Sequence, residues 1–491
     1  MEALSRFRGP ELYIPPAAVP ARQRQKGYDS PFLHMHLLYR IGIIAVYALI
    51  LLTIVLNVEI SSRSPVFILL CIALVLNFAV VLLPIIFYKP SYGWFHPLVF
   101  NACMYLLFQF RSYATYWGGL SHHKALPTWS PEEILTLVVY AIALKSIATA
   151  SYFFGFFFGP SFKVPRLSFP VPNRVGLKAV VVVLVTLVVF YLYISGKGGL
   201  AAHLLSWQEG RHDAMAGDGY WHLAIKFAAA ATLLWFTLDR RAAYKPVFWL
   251  CAFVSILINF FATGSRSLAV FFVIAGFLVW MLREKKVAPG RILIITFVVV
   301  SAVGLLGSYR QQIWRGETSL ASTAQDSSVL DSFIEGAVES GERSWSGNGL
   351  LPIIALVPHD VDFLYGSSYV SVLTLPIPRK LWEDKPGQIG GLVGETFFRS
   401  PAGTPPGAIG EAYWNFHIPG VVLIFFIWGA FHKWLKDVYL AYAGKPAMIL
   451  IYLNIMFTFD PTTPALVAGM LQLMPALVLF WLIGALRFGR S

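Results

Sequence analysis

Long apolar runs separated by short polar or basic connections set the pattern of this chain. The runs reach about 18 to 25 residues, the length an α-helix needs to cross a hydrocarbon core of roughly 30 Å. Hydropathy predicts spans at 41–58, 66–88, 98–111, 133–158, 178–195, 222–238, 247–263, 267–282, 291–307, 412–431, 446–459 and 463–486. The expectation is an all-α polytopic integral membrane protein of about 12 transmembrane helices. Four segments follow: a cytoplasmic N-terminal arm at 1–40, nine spans within 41–307, one large outer loop at 308–411, and 412–491 with three spans and a short cytoplasmic C-terminus.

The outer loop is far longer than an ordinary connection, and loops of that length are usually functional or disordered. Its composition argues for order, because it carries Trp345, Trp382, Phe397 and Phe398 and the apolar stretch "GLLPIIALVPHDVDFLYGSSYVSVLTLPIP". Re-entrant or interfacial helices are expected there, crossing an even number of times if they cross at all.

Composition agrees with the pattern. The chain is 57% hydrophobic and 13% charged, against about 25% charged in soluble domains, which leaves no soluble domain of ordinary size. The first forty residues, basic and proline-containing, are too long and irregular for a secretory signal. Cys71, Cys103 and Cys251 lie inside apolar runs without metal or disulfide spacing.

Charge fixes the expected orientation. The connections "GPSFKVPRLSFPVPNRVGLK", "DRRAAYK", "REKKVAPGR", "HKWLKDVYLAYAGK" and the terminal "RFGRS" are basic and should be cytoplasmic. With both termini on that side, the inside holds 23 Lys/Arg against 6 Asp/Glu and the outside 13 against 19, with Lys145 and Lys226 inside spans. The basic balance is a topology signal, and no nucleic-acid partner is needed to explain it.

Against the acidic outer side, a set of cations gathers. Arg266 sits in the tight "ATGSRS" turn between the seventh and eighth spans, Arg211 in "SWQEGRHDAMAGDGYW", Arg310 and Arg315 in "GSYRQQIWRGE", and Arg379 and Lys385 in "PIPRKLWEDKPG". A guanidinium offers a planar fork of donors that fits phosphate oxygens two at a time, so such a set suits a lipid diphosphate. Taken singly, each arginine also reads as a snorkelling side chain at the headgroup level. Glu395, Glu411, His359, Asp360 and Asp362 are outer groups able to act as a base, and Glu411 stands at a span entrance. His359, Asp360 and Asp362 in "PHDVD" have no specific metal spacing, and no metal or other cofactor is expected. Trp345, Trp382 and Trp414 could stack on sugars or anchor at the interface.

Three stretches, "FATGSRSLAVFF", "LPIPRKLWEDKPG" and "GEAYWNFHIPG", together resemble the bacterial oligosaccharide repeat-unit polymerases, the O-antigen polymerase or Wzy-type family. The middle one carries Pro378, Arg379, Leu381, Trp382, Lys385 and Pro386, and the last Glu411, Tyr413, Asn415 and Phe416. The loop "GKGGLAAHLLSWQEGRHDAMAGDGYW" also has the family's Gly-Gly start and Gly-Tyr finish. The likeness covers residues 195–430, and departs from the family at His417 and Pro419, where a glycine-rich turn is usual.

The resemblance implies a GT-C-like membrane glycosyltransferase of the bacterial inner membrane. It would move a growing glycan from undecaprenyl diphosphate onto the next lipid-linked repeat unit at the outer face, beside a chain-length regulator and flippase of the same pathway. Arg266, Arg310, Arg315 and Arg379 would hold the diphosphate, supported by Arg211 and Lys385. Glu411 or Glu395 would polarise the acceptor, and Trp382, Asn415 and Tyr413 would contact glycan. The rival readings are an O-antigen ligase-like transferase and a transporter or flippase of a lipid-linked saccharide. The latter is disfavoured because Lys145 and Lys226 alone make a poor ion pathway. A membrane O-acyltransferase is disfavoured because no histidine paired with Asn or Asp is evident within a span.

Overall fold

The structure, a computed structural model of the 491-residue chain, describes residues 31–57, 65–113, 123–214, 218–264, 267–287, 290, 348–374, 377, 381–382, 387–400, 403–458 and 466–488. Fifteen α-helices form among the described residues: α1 (Leu37–Asn57), α2 (Pro65–Ile86), α3 (Pro97–Tyr113), α4 (Pro131–Phe158), α5 (Val175–Gly196), α6 (Leu200–Ala214), α7 (Gly219–Leu238), α8 (Pro246–Thr263), α9 (Ser267–Glu284), α10 (Leu350–Leu356), α11 (Ser367–Thr374), α12 (Ile389–Phe398), α13 (Gly407–Tyr442), α14 (Pro446–Thr458) and α15 (Leu466–Ile483). Six of these, α2, α4, α5, α7, α8 and α13, are long and apolar enough to cross a membrane, and shorter apolar helices accompany them. The chain is an all-α, multi-pass helical membrane protein. The ninth predicted span, 291–307, and residues 1–30 of the predicted arm lie outside the described residues.

Local sequence explains several boundaries. α4 starts at "SPEE": Ser130 Oγ accepts from the Glu133 amide at 3.3 Å while Glu133 Oε2 accepts from the Ser130 amide at 2.7 Å, and Pro131 needs no donor in the first turn. α8 stops at Gly264, whose φ of +60° is closed to most side chains and whose amide donates to Phe260 O.

Helix-end contacts sort the bundle into two rims. At one rim, basic side chains donate to carbonyls that end helices: Arg40 to Ile85 O and Ile86 O, Arg283 to Phe236 O, Lys178 to Ile483 O, and Lys433 to Gly159 O just beyond α4. Each meets the negative end of a helix dipole and fills carbonyls left without an intrahelical donor. The short strands β1 (Leu167–Ser168) and β2 (Arg487–Phe488) pair antiparallel at the same rim. The predicted arm behaves differently from expectation at its end: α1 begins at Leu37, and Phe32, Leu33 and Met35 are buried, with Phe32 stacked on Tyr439 at 5.3 Å. Three apolar residues in "SPFLHM" gain more from this rim's core than from water.

The apolar interior has two lobes. One joins α1–α4, α10, α12 and the first half of α13; the other joins α5, α7–α9, the last turns of α13, α14 and α15. α13 therefore belongs to both. It lies closest to α4, where Gly155 and Gly429 let backbones meet: a Cβ on Gly155 would stand 1.9 Å from Phe426 O, and one on Gly429 2.0 Å from Tyr152 O. Small residues at such a seam allow close van der Waals packing where lipid supplies no hydrophobic drive.

Polar side chains also join these helices. Asn77 donates to Ser146 Oγ at 3.0 Å and accepts from Tyr105 at 2.9 Å. Tyr152 OH lies 2.9 Å from His432 Nδ1 and accepts from Asn101 Nδ2 at 2.7 Å, and Asn101 lies 3.3 Å from the same ring nitrogen. This corrects the expectation that no histidine within a span is paired with an asparagine. The partners lie some 330 positions apart, so spacing along the chain could not reveal them. All three side chains are buried, and they tie α3, α4 and α13 together.

Candidate functional site

The site is built around a break in α13. Phe416 (φ −147°, ψ 23°) and His417 (φ 57°, ψ −150°) leave helical geometry, dividing the helix into 407–415 and 418–442. Pro419 lacks the N–H that a continuous helix would use, and it falls in the first turn of the second piece, where no intrahelical donor is needed. Gly420 then lets the two pieces fold closely, since a Cβ there would meet Ala412 O at 2.4 Å. The second piece, 25 residues long, spans about 37 Å at 1.5 Å per residue, enough to cross the hydrocarbon core alone. The first piece carries the polar residues.

α10 and α11 pack on that first piece. Glu411, with 1% of its surface exposed, accepts from Ser368 Oγ at 2.9 Å. Ser368 accepts in turn from Asn415 Nδ2 at 2.8 Å, and the same amide group donates to Glu411 O at 2.7 Å. Asn415 Oδ1 takes the Gly366 amide at 2.7 Å; Gly366 has φ +89°, so the chain turns into α11 at a position only glycine occupies easily. Trp414 Nε1 donates to Asp362 O and Trp414 O accepts from Leu364 N. Glu411, Trp414 and Asn415 of "EAYWN" therefore clamp segment 362–368 onto α13.

Tyr369 adds an unmatched group. Its hydroxyl is buried and has no hydrogen-bond partner among the described residues. Burial, and then the Glu411 charge, push it well above the ordinary phenol range, so it stays protonated and a donor. On the other flank Tyr413 OH lies 2.7 Å from His417 Nε2, and its ring meets that of Tyr140 of α4 edge-on at 6.2 Å.

The two carboxylate candidates are placed differently: Glu411 lies inside the network, and Glu395 is exposed on α12. Of the glycan candidates, Tyr413 and Asn415 are buried and Trp382 is 40% exposed. Trp414 is buried against Phe397 at 5.0 Å, which corrects its reading as a stacking face or interface anchor. His359, Asp360 and Asp362 are exposed, and no three metal-ligating side chains converge among the described residues. Arg266, Arg310, Arg315, Arg379 and Lys385 lie outside the described residues; Arg211 falls on α6, with its side chain likewise outside them.

Sequence reasoning missed a second polar group where α5, α6, α7 and α8 meet. Lys197 and Asp218 form an ion pair at 2.7 Å, and Tyr193 donates to Asp218 at 3.2 Å and lies 3.3 Å from His222 Nε2. His203 Nε2 donates to Phe261 O at 3.1 Å, just before the "TGSR" turn. The one signal in the sequence was "GKGG", whose Gly198 and Gly199 take φ +82° and +95° to turn the chain into α6. No family model matches the chain, and no curated protein or solved structure is significantly similar to it.

Proposed function

We propose that this protein polymerises lipid-linked oligosaccharide repeat units of an O-antigen, exopolysaccharide or capsule. It transfers the growing glycan from undecaprenyl diphosphate to the next lipid-linked unit at the outer face of the bacterial inner membrane. On this reading the bundle has about twelve spans, with both termini in the cytoplasm. The rim bearing Arg40, Lys178, Arg283 and Lys433 is cytoplasmic, in line with the excess of basic residues expected there.

One observation carries the reading more than any other. Glu411, Trp414 and Asn415 of the family-like "GEAYWNF" stretch form a single buried network with segment 362–368, at the break of a helix whose remainder is long enough to cross a membrane. A buried, hydrogen-bonded carboxylate is costly to maintain for packing alone, and this one sits in the same lobe as the outer-loop helices α10 and α12. Glu411 is the fixed carboxylate of the site. Arg266, Arg310, Arg315 and Arg379, backed by Arg211 and Lys385, hold the diphosphate and stabilise it as it leaves, the kind of term that usually dominates such catalysis. The chain-length regulator and flippase of the pathway are its working partners.

The test deletes the gene in its host and complements with wild type, Arg266→Ala or Arg379→Ala at matched expression, resolving surface glycan by gel. A polymerase leaves single-repeat caps on deletion, and neither variant restores the ladder. Loss of even single repeats replaces this reading with a ligase or flippase; full ladders from both variants make the arginines interface anchors.

A further inference from the structure

His417 occupies a conformation that its side chain does not favour. With φ 57° and ψ −150° it lies where glycine is nearly alone in being comfortable. A non-glycine residue there is strained, and such strain persists where the surroundings over-determine it, most often at functional sites. The break itself does not need an imidazole, since Pro419 and the close approach of Gly420 to Ala412 make it. Glycine would serve the backbone better at 417.

The side chain is held by specific contacts. Its ring lies 4.5 Å from Tyr413 and meets Phe363 edge-on at 6.2 Å, and Nε2 is 2.7 Å from the Tyr413 hydroxyl. The Tyr413 ring packs edge-on in turn against Tyr140 at 6.2 Å. In the tautomer where Nε2–H donates to the Tyr413 oxygen, Nδ1 keeps its lone pair for an incoming proton. The histidine is half-buried; Phe416, its neighbour in the chain, and Tyr365, whose ring meets Phe363 edge-on, are 41% and 75% exposed, aromatic faces of the sort on which sugar rings stack. Glu411, by contrast, is engaged inside the network.

We propose that His417 is the proton acceptor of the transfer, and that its contact with the Tyr413 hydroxyl holds the imidazole in place. This rests on the polymerase reading. The acceptor sugar's hydroxyl oxygen bonds to the anomeric carbon of the donor glycan as the bond from that carbon to the diphosphate oxygen breaks. The electron pair of the broken bond leaves with the diphosphate. The hydroxyl proton passes to His417 Nδ1 and then to water.

The decisive variant is His417→Gly, which removes the strain and the base together. In membranes containing lipid-linked repeat units, the variant should melt no lower than wild type. Its polymerisation rate should fall about 100-fold or more, the usual worth of a general base, and added imidazole should restore several-fold. Tyr413→Phe should lose less. His417→Gly activity within threefold of wild type, a lowered melting temperature, or no response to imidazole overturns the proposal. If instead the gene deletion leaves polymer length unchanged, the polymerase reading itself has failed, an outcome read without the variant.

Discussion

Ser368 is the hinge of the buried network, and Ser368→Ala measures how much the network is worth. The hydroxyl donates to Glu411 Oε1 at 2.9 Å and accepts from Asn415 Nδ2 at 2.8 Å. A hydrogen bond to a charged group contributes about 1.5–3 kcal/mol and a neutral one about 0.5–1.5 kcal/mol. With Ser368 only 2% exposed, water cannot readily replace the lost oxygen, so Ser368→Ala should destabilise the protein by about 3 kcal/mol. Ser371 is the control: it lies one turn on, is equally buried, and donates to Ser368 O, so Ser371→Ala should cost about 1 kcal/mol. Detergent-induced unfolding followed by circular dichroism gives both numbers. Glu411→Gln combined with Ser368→Ala should lose about 1–2 kcal/mol less than the sum of the single losses, because the two groups share one bond. A Ser368→Ala loss no larger than that of Ser371→Ala, or strictly additive losses, would refute the network as described.

Two further outcomes follow from the seam and the basic rim. Gly429→Ala places a methyl 2.0 Å from Tyr152 O, where ordinary contact begins at 3.4 Å, so α4 and α13 must part and stability should fall by about 3 kcal/mol; an unchanged melting temperature would contradict the close approach. His96 is buried beside Tyr92 and Phe32, and burial, aided by the nearby Lys436 charge, pulls its pKa down to about 3. The unfolded chain then takes up a proton near pH 6.5 that the folded protein refuses, so stability falls as pH drops below 6.5, by about 2 kcal/mol at pH 5. His96→Phe should remove that share of the acid sensitivity, read as a smaller difference in unfolding midpoint between pH 7 and pH 5.

Much of the helical framework was legible in the sequence because lipid makes the pattern simple: a span must be apolar along its length, and its backbone must satisfy itself. The starts of α4 and α8 were readable from "SPEE" and from Pro246. The break in α13 was half readable. Pro419 announces an interruption, yet the hydropathy pattern carries straight through Phe416 and His417, and only the dihedrals show a histidine in a glycine's conformation. Glu411 was readable as a candidate from its motif. Its burial was not, because its partner Ser368 arrives from 43 positions away on an eight-residue helix too short to announce itself by period. The His432–Asn101–Tyr152 cluster and the Lys197–Asp218–Tyr193 group were illegible for the same reason: each is assembled across helices, and no local spacing encodes it.

The central claim is that this chain forms glycosidic bonds between lipid-linked repeat units. The purified protein, reconstituted in lipid nanodiscs with an undecaprenyl-diphosphate-linked repeat unit as sole substrate, tests it directly. The account predicts lipid-linked products of two, three and more repeats, with one molecule of undecaprenyl diphosphate released for each bond formed and no added metal or nucleotide. Recovery of the intact single-repeat lipid, with no diphosphate released by a protein that elutes and melts as a folded species, would contradict it.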